Sequence, residues 1–179
     1  MPKQEFPFPM PNGWFCVTRV GDIQNGESKP FTFCEKEVVA FRTESGKVSV
    51  LDAYCGYSGI NLAISGTVEG ETINSPKYGI KWNIDGSCAE IGKDSGVPKE
   101  AMEVTTFSYP CQELNGFIWA WHHLLQEEPS FEIPAIDGFN EDDSKWGKEH
   151  HYEYHINTVL QEIAENDVDL SLIHISEPT

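Results

Sequence analysis

Apolar and polar positions between residues 14 and 121 fall into short stretches with turn signals between them. Trp14-Phe15-Cys16-Val17-Thr18-Arg19-Val20 opens the series. Pro30 to Phe33, Glu37 to Arg42 and Lys47 to Ala53 follow, the last two split by Glu44-Ser45-Gly46. Thr67 to Ile73, Ile80 to Ile84, Glu103 to Tyr109 and Phe117 to Trp121 continue it. Aromatic and β-branched residues suit such stretches because they pack well on a pleated, half-buried surface. Asp85-Gly86 and Asn115-Gly116 are hairpin-turn dipeptides, since a tight turn needs residues that tolerate positive φ. The pattern predicts an all-β sandwich or small barrel. No internal repeat is visible.

The character changes at residues 124 to 148. Leu124-Leu125-Gln126-Glu127-Glu128-Pro129-Ser130 and Asp137-Gly138-Phe139-Asn140-Glu141-Asp142-Asp143-Ser144 are acidic and rich in turn formers, and read as a connecting segment. Tyr152 to Ile156 then reads as a strand. Thr158 to Asp169 reads as the opening of a helix, with Val159, Ile163 and Asn166 at helical spacing.

A chain of 179 residues can bury one proper core, with room for the start of a second domain. Its formal net charge of −17 argues against a nucleic-acid or anionic-membrane surface, because both need clustered Lys and Arg. The first residues, Met1 to Pro9, lack the apolar core of a signal peptide. No stretch approaches the roughly 20 apolar residues of a membrane span. The five cysteines (Cys16, Cys34, Cys55, Cys88 and Cys111) are widely spaced and odd in number, so reduced thiols in a cytoplasmic protein are expected. Cys16, Cys34 and Cys111 fall in strand-like segments, where a thiol packs as a small apolar group.

Two loops carry the candidate chemistry. The first reads Ala53-Tyr54-Cys55-Gly56-Tyr57-Ser58-Gly59-Ile60-Asn61-Leu62-Ala63, and the second Ile73-Asn74-Ser75-Pro76-Lys77-Tyr78-Gly79-Ile80-Lys81-Trp82. Together they resemble the two cluster-binding loops of a Rieske iron–sulfur domain, C-x-H followed by C-x-x-H. The four ligand positions are Cys55, Tyr57, Ser75 and Tyr78, so one family ligand is retained and three are substituted. Other landmarks follow in order: Gly59, Asn61-Leu62, Gly66-Thr67-Val68, Pro76, Gly79, Trp82 and Asp85-Gly86-Ser87-Cys88. Pro11-Asn12-Gly13-Trp14-Phe15 and Leu114-Asn115-Gly116-Phe117-Ile118-Trp119-Ala120-Trp121 belong to the same set.

The resemblance covers roughly residues 10 to 169 and is to the Rieske non-haem iron oxygenases. Leu51-Asp52-Ala53-Tyr54-Cys55 and Asn61-Leu62-Ala63 are most like the 3-ketosteroid 9α-hydroxylase and cholesterol 7-desaturase kind. It implies a Rieske-type antiparallel β-sandwich with two cluster-loop hairpins, then the start of an α+β catalytic domain. It divides the chain into a Rieske-type domain at 1–123, a connecting segment at 124–148 and the beginning of a catalytic domain at 149–169. It also implies a 2Fe-2S cluster, a mononuclear iron in the catalytic domain, a ferredoxin or reductase as partner, and a homotrimer. For this chain a monomer is expected.

A Rieske centre has one iron on two thiolates and the other on two imidazoles. Serine is a hard alcohol where a soft thiolate is needed, and neutral tyrosine, with a pKa near 10, is a poor substitute for imidazole. The expectation is that these residues do not hold 2Fe-2S. His122-His123, His150-His151 and His155 invite a metal reading, but adjacent histidines on a strand point to opposite faces. Asp169 stands where the family has the aspartate that bridges a Rieske histidine and the mononuclear iron site. The family's two iron-binding histidines are expected near 172 and 177, where Leu172 and Glu177 stand. Residues 170–179, Leu170 to Thr179, read as the conceptual translation of a sequencing-library adapter.

Three readings follow. One is a fragment of a Rieske-type oxygenase, the electron-transfer domain of a steroid or other ring-hydroxylating monooxygenase, inactive as written. Another is a cluster-less Rieske-fold module for binding or subunit contact. The third is a relic with no selected role.

Overall fold

The structure is a computed structural model and describes residues 10–93, 95–136, 150, 152, 154–158 and 160–168. These fall into two units, residues 10–136 and the described residues from 150 onward.

The first unit is built of antiparallel strands, as the turn-punctuated pattern predicts. In chain order they are β1 (Gly13–Arg19), β2 (Ser28–Phe33), β3 (Lys36–Arg42) and β4 (Val48–Asp52). A short helix, α1 (Leu62–Ser65), precedes β5 (Thr67–Glu69), β6 (Thr72–Ser75), β7 (Ile80–Trp82) and β8 (Cys88–Glu90). β9 (Ser108–Tyr109), β10 (Cys111–Leu114) and β11 (Phe117–His122) complete it. Three sheets result, ordered β1-β11-β10, β2-β3-β4-β9 and β5-β6-β7-β8.

The layering follows from β3. Its run Val38-Val39-Ala40-Phe41 is buried on both faces, so alternate residues serve different cores. Val38 and Ala40 join Val50, Ile118 and Ala120 in one cluster. Val39 and Phe41 join Leu51, Leu62, Ile73, Ile80 and Trp82 in the other. Cross-strand register keeps the sides apart: Val39 pairs with Leu51 and Ala40 with Val50. The β2-β3-β4-β9 sheet is therefore shared between two cores, and the second core backs the candidate loops.

Arg42 ends β3 at 7% exposure and closes that end of the sheet. Its guanidinium donates to the carbonyls of Ile23, Gly46 and Val20 at 2.9, 2.9 and 3.1 Å, and pairs with Glu113. Residues 124–136 return along the β1-β11-β10 sheet. Trp14 Nε1 donates to the Phe131 carbonyl at 2.8 Å, and Asn115 Nδ2 to that of Pro134 at 2.9 Å.

Several expected boundaries change. Thr67 to Ile73 is not one strand: Gly70, at φ +59°, turns it into the β5–β6 hairpin. Only Ser108–Tyr109 of Glu103 to Tyr109 is strand; Glu103 ends a 3-10 turn and Thr105 forms an isolated bridge with Ser87. Cys34 sits not in a strand but in the turn after β2, at φ 47°. Cys16 is exposed rather than packed.

In the second unit α2 (Leu160–Val168) matches the predicted helix. The described residues of Tyr152 to Ile156 form no strand, and Tyr152, Tyr154 and Ile156 are exposed. Alternation of apolar and polar residues is not enough to make a strand, which also needs a paired neighbour for its backbone hydrogen bonds. Asp169 and residues 170–179 lie outside the described residues.

Candidate functional site

The first loop leaves β4 and is closed by its own backbone. Cys55 N donates to the Ile60 carbonyl and Gly59 N to that of Cys55, each at 2.9 Å. Leu62 N donates to the Ala53 carbonyl at 2.6 Å. Asn61 Oδ1 caps α1 by accepting from Ala63 N and Ile64 N at 2.9 and 3.2 Å, which fixes where the loop ends. Asn61 Nδ2 and the Tyr54 hydroxyl both donate to Glu37.

Glycine is required at position 56 by close approach: a Cβ there would meet the Thr105 carbonyl oxygen at 2.1 Å. Gly56 N also donates to Thr106 Oγ1 at 3.1 Å. The loop is thereby pinned to the segment that leads into β9.

The second loop is the connection of the β6–β7 hairpin, Pro76 to Gly79. Gly79 N donates to the Ser75 carbonyl at 2.9 Å, with Gly79 at φ +60°. The Gly79 carbonyl accepts from Gly92 N at 3.0 Å, which pins this loop to the residues after β8.

Cys55 is 2% exposed, and its thiol lies 3.0 Å from Ser58 Oγ within its own loop. Ser75 is fully buried at the end of β6, paired with Ile80, and its hydroxyl has no hydrogen-bond partner. Tyr57 and Tyr78 meet across the two loops with ring centroids 6.0 Å apart and planes at 89°. Lys77 Nζ lies 5.1 Å from the Tyr78 ring centroid. Cys55, Tyr57 and Tyr78 all pack on the core that holds Trp82 and Phe41.

Three further features were not evident from the two motifs. Cys88 joins the same core as Cys55, and its thiol reaches the Glu90 carbonyl at 3.7 Å and Met102 Sδ at 3.6 Å. Burial raises the pKa of Cys88 above the ordinary thiol value. Trp82 Nε1 and Asn74 Oδ1 are buried without partners, like Ser75 Oγ. Strand alternation could have signalled Trp82, two residues beyond Ile80 on one face.

His122 and His123 lie apart from the loops in sequence and are used locally, while His151 lies outside the described residues. His122 packs edge-on against Phe15 and Phe33, and its pKa is lowered by burial first, then by Lys36 and His123. His123 stacks on Trp121, and its Nδ1 accepts from Leu125 N and Glu127 N. Glu127 Oε2 lies 3.6 Å from its Nε2. Among the described residues no three His, Cys, Asp or Glu side chains gather as a metal-binding group.

Both loops fall within one family match. Residues 13–107 match the Rieske [2Fe-2S] domain, and residues 120–179 the 3-Ketosteroid 9alpha-hydroxylase C-terminal domain. The chain is 35% identical to cholesterol 7-desaturase of Ciona intestinalis over 175 residues, 97% of this chain and 36% of that protein. Its fold is similar to the terminal oxygenase of carbazole 1,9a-dioxygenase from Nocardioides aromaticivorans IC177, with TM-score 0.61 and 20% identity over 74% of this chain and 36% of that one. The reduced complex between oxygenase and ferredoxin in carbazole 1,9a-dioxygenase is matched with TM-score 0.54 and 21% identity, over 62% of this chain and 28% of that one. The chain thus spans little more than a third of that curated relative's length.

Proposed function

Because the chain belongs to the Rieske oxygenase family, we propose that it is a fragment of a Rieske-type oxygenase, corresponding to the electron-transfer domain of a steroid or other ring-hydroxylating monooxygenase and inactive as it stands. The observation that carries this reading is the order of the two family matches, a Rieske domain followed by a 3-ketosteroid hydroxylase-type domain. A ferredoxin or reductase would deliver electrons to such a domain, and the ferredoxin complex of the carbazole oxygenase supports that class of partner.

The residues at the four family positions do not fit the cluster. Cys55 offers one thiol, Ser75 one buried hydroxyl, and Tyr57 and Tyr78 two phenols in mutual contact. A 2Fe-2S centre of this type needs two thiolates and two imidazoles, so one iron would lack a thiolate and the other both imidazoles. We therefore assign no electron-transfer step to this chain as it stands. The same donor set favours a second reading, a Rieske-fold module that binds or contacts a subunit without a cluster.

The test is anaerobic reconstitution of the purified chain with ferrous iron and sulfide, followed by desalting and iron and acid-labile sulfide assays. Neither is expected to remain bound. Two irons and two sulfides per chain, with a Rieske-type paramagnetic signal on reduction, would contradict the assignment of the four positions.

A further inference from the structure

We infer that the Tyr57–Tyr78 contact replaces a metal as the clasp between the two loops, so that this fold closes without iron. The inference rests on reading residues 53–61 and 75–79 as the loops that hold a cluster in the family.

The hydrogen bonds show what the clasp must do. Each loop is anchored separately, the first through Gly56 N to Thr106 Oγ1, the second through the Gly79 carbonyl to Gly92 N. Among the described residues, the hydrogen bonds of these loops include none from one loop to the other. Cys55 turns its thiol to Ser58 in its own loop. Tyr57 and Tyr78 supply the ring contact that joins the tips, with the edge of one ring directed at the face of the other. That geometry is attractive because a ring's edge is positive and its face negative. Lys77 adds a cation near the Tyr78 ring.

Packing gives the physical reason. Two loops built around an inorganic core would leave unfilled space if the core were lost, and a void costs stability through lost contacts. A phenol ring is larger than an imidazole and reaches further. Both tyrosines are partly buried against the core of Phe41, Leu51 and Trp82, so they fill space and join the loops at once.

The experiment uses the full 179-residue chain. Urea unfolding is measured on the wild type, Tyr57→Ala, Tyr78→Ala and the double variant, with and without prior exposure to iron chelators. Chelation is expected to leave the wild-type midpoint unchanged. The two substitutions are expected to couple, the double variant changing the unfolding constant roughly two- to tenfold less than the product of the two single effects. Additive losses would overturn the clasp. A wild-type midpoint that falls on chelation, with iron released, would instead overturn the metal-free reading beneath it. Leucine replacements, which keep apolar bulk, supply a second cycle if the alanine variants do not fold, and additivity there would equally overturn the clasp.

Discussion

Ser75 and Trp82 stand on one face of the β6–β7 hairpin, both fully buried, with Ser75 Oγ and Trp82 Nε1 each lacking a hydrogen-bond partner. The register puts them there: Ser75 pairs with Ile80 and Ile73 with Trp82, so all four side chains point into the same core. A buried polar atom without a partner loses its hydration and gains nothing in return.

Ser75→Ala is therefore expected to stabilise the chain by about 1 kcal/mol, since it removes a desolvated hydroxyl and leaves only a small void. Equilibrium urea unfolding checks this. A loss of stability would mean that the hydroxyl has a partner in solution.

Arg42 is the opposite case, a buried charge held by three backbone carbonyls and a carboxylate. Arg42→Met removes donors to Ile23, Gly46 and Val20 together with the pairing to Glu113. A loss of about 3 kcal/mol is expected, because three carbonyls and a carboxylate lose their donor. Glu113→Gln should cost much less, since the carbonyl contacts remain. Denaturant midpoints of the two variants compare them directly.

Alkaline stability should fall in a defined window. Burial raises the Cys34 and Cys111 thiols from 9.0 to about 11, so both hold their protons in the folded chain after the unfolded chain has lost them. The unfolded state then binds fewer protons, and stability, complete below pH 9, declines between pH 9 and 11. Tyr109 extends the decline upward, its pKa raised first by burial and then by its hydrogen bond to Asp52 at 2.8 Å. Replacing Cys34 and Cys111 by alanine should flatten the pH 9 to 11 slope of the unfolding free energy.

Gly56→Ala tests the anchoring of the first loop. Its Cβ would sit 2.1 Å from the Thr105 carbonyl oxygen, a backbone atom that cannot swing aside. A loss of about 2–3 kcal/mol is expected from this overpacking. Gly59→Ala, with nothing within 4 Å but φ at +64°, should cost only the backbone strain, about 1 kcal/mol. Thermal unfolding of the two variants separates close approach from conformation.

Much of this molecule was legible from residue order alone. Short alternating segments and dipeptides such as Asn115-Gly116 demand antiparallel hairpins, because side-chain period and turn conformation are local properties. The two loops, their glycines and the identity of the residues at 55, 57, 75 and 78 are likewise local facts. Other features depended on which elements meet. Val38 and Val39 look alike in sequence, yet they serve different cores because a third sheet covers β3. Cys88 lies just beyond the hairpin turn that follows the second loop, yet only the fold shows that it shares a core with Cys55, and Ser75 is an ordinary serine until the fold buries its hydroxyl without a partner. Sequence determined most strands of the first unit, the turns and the donor atoms at the loops, since each depends on residues a few positions apart. The meeting of Tyr57 with Tyr78, the separate anchoring of the two loops and the orphaned polar atoms were decided by tertiary structure, because burial and contact depend on segments distant in the chain.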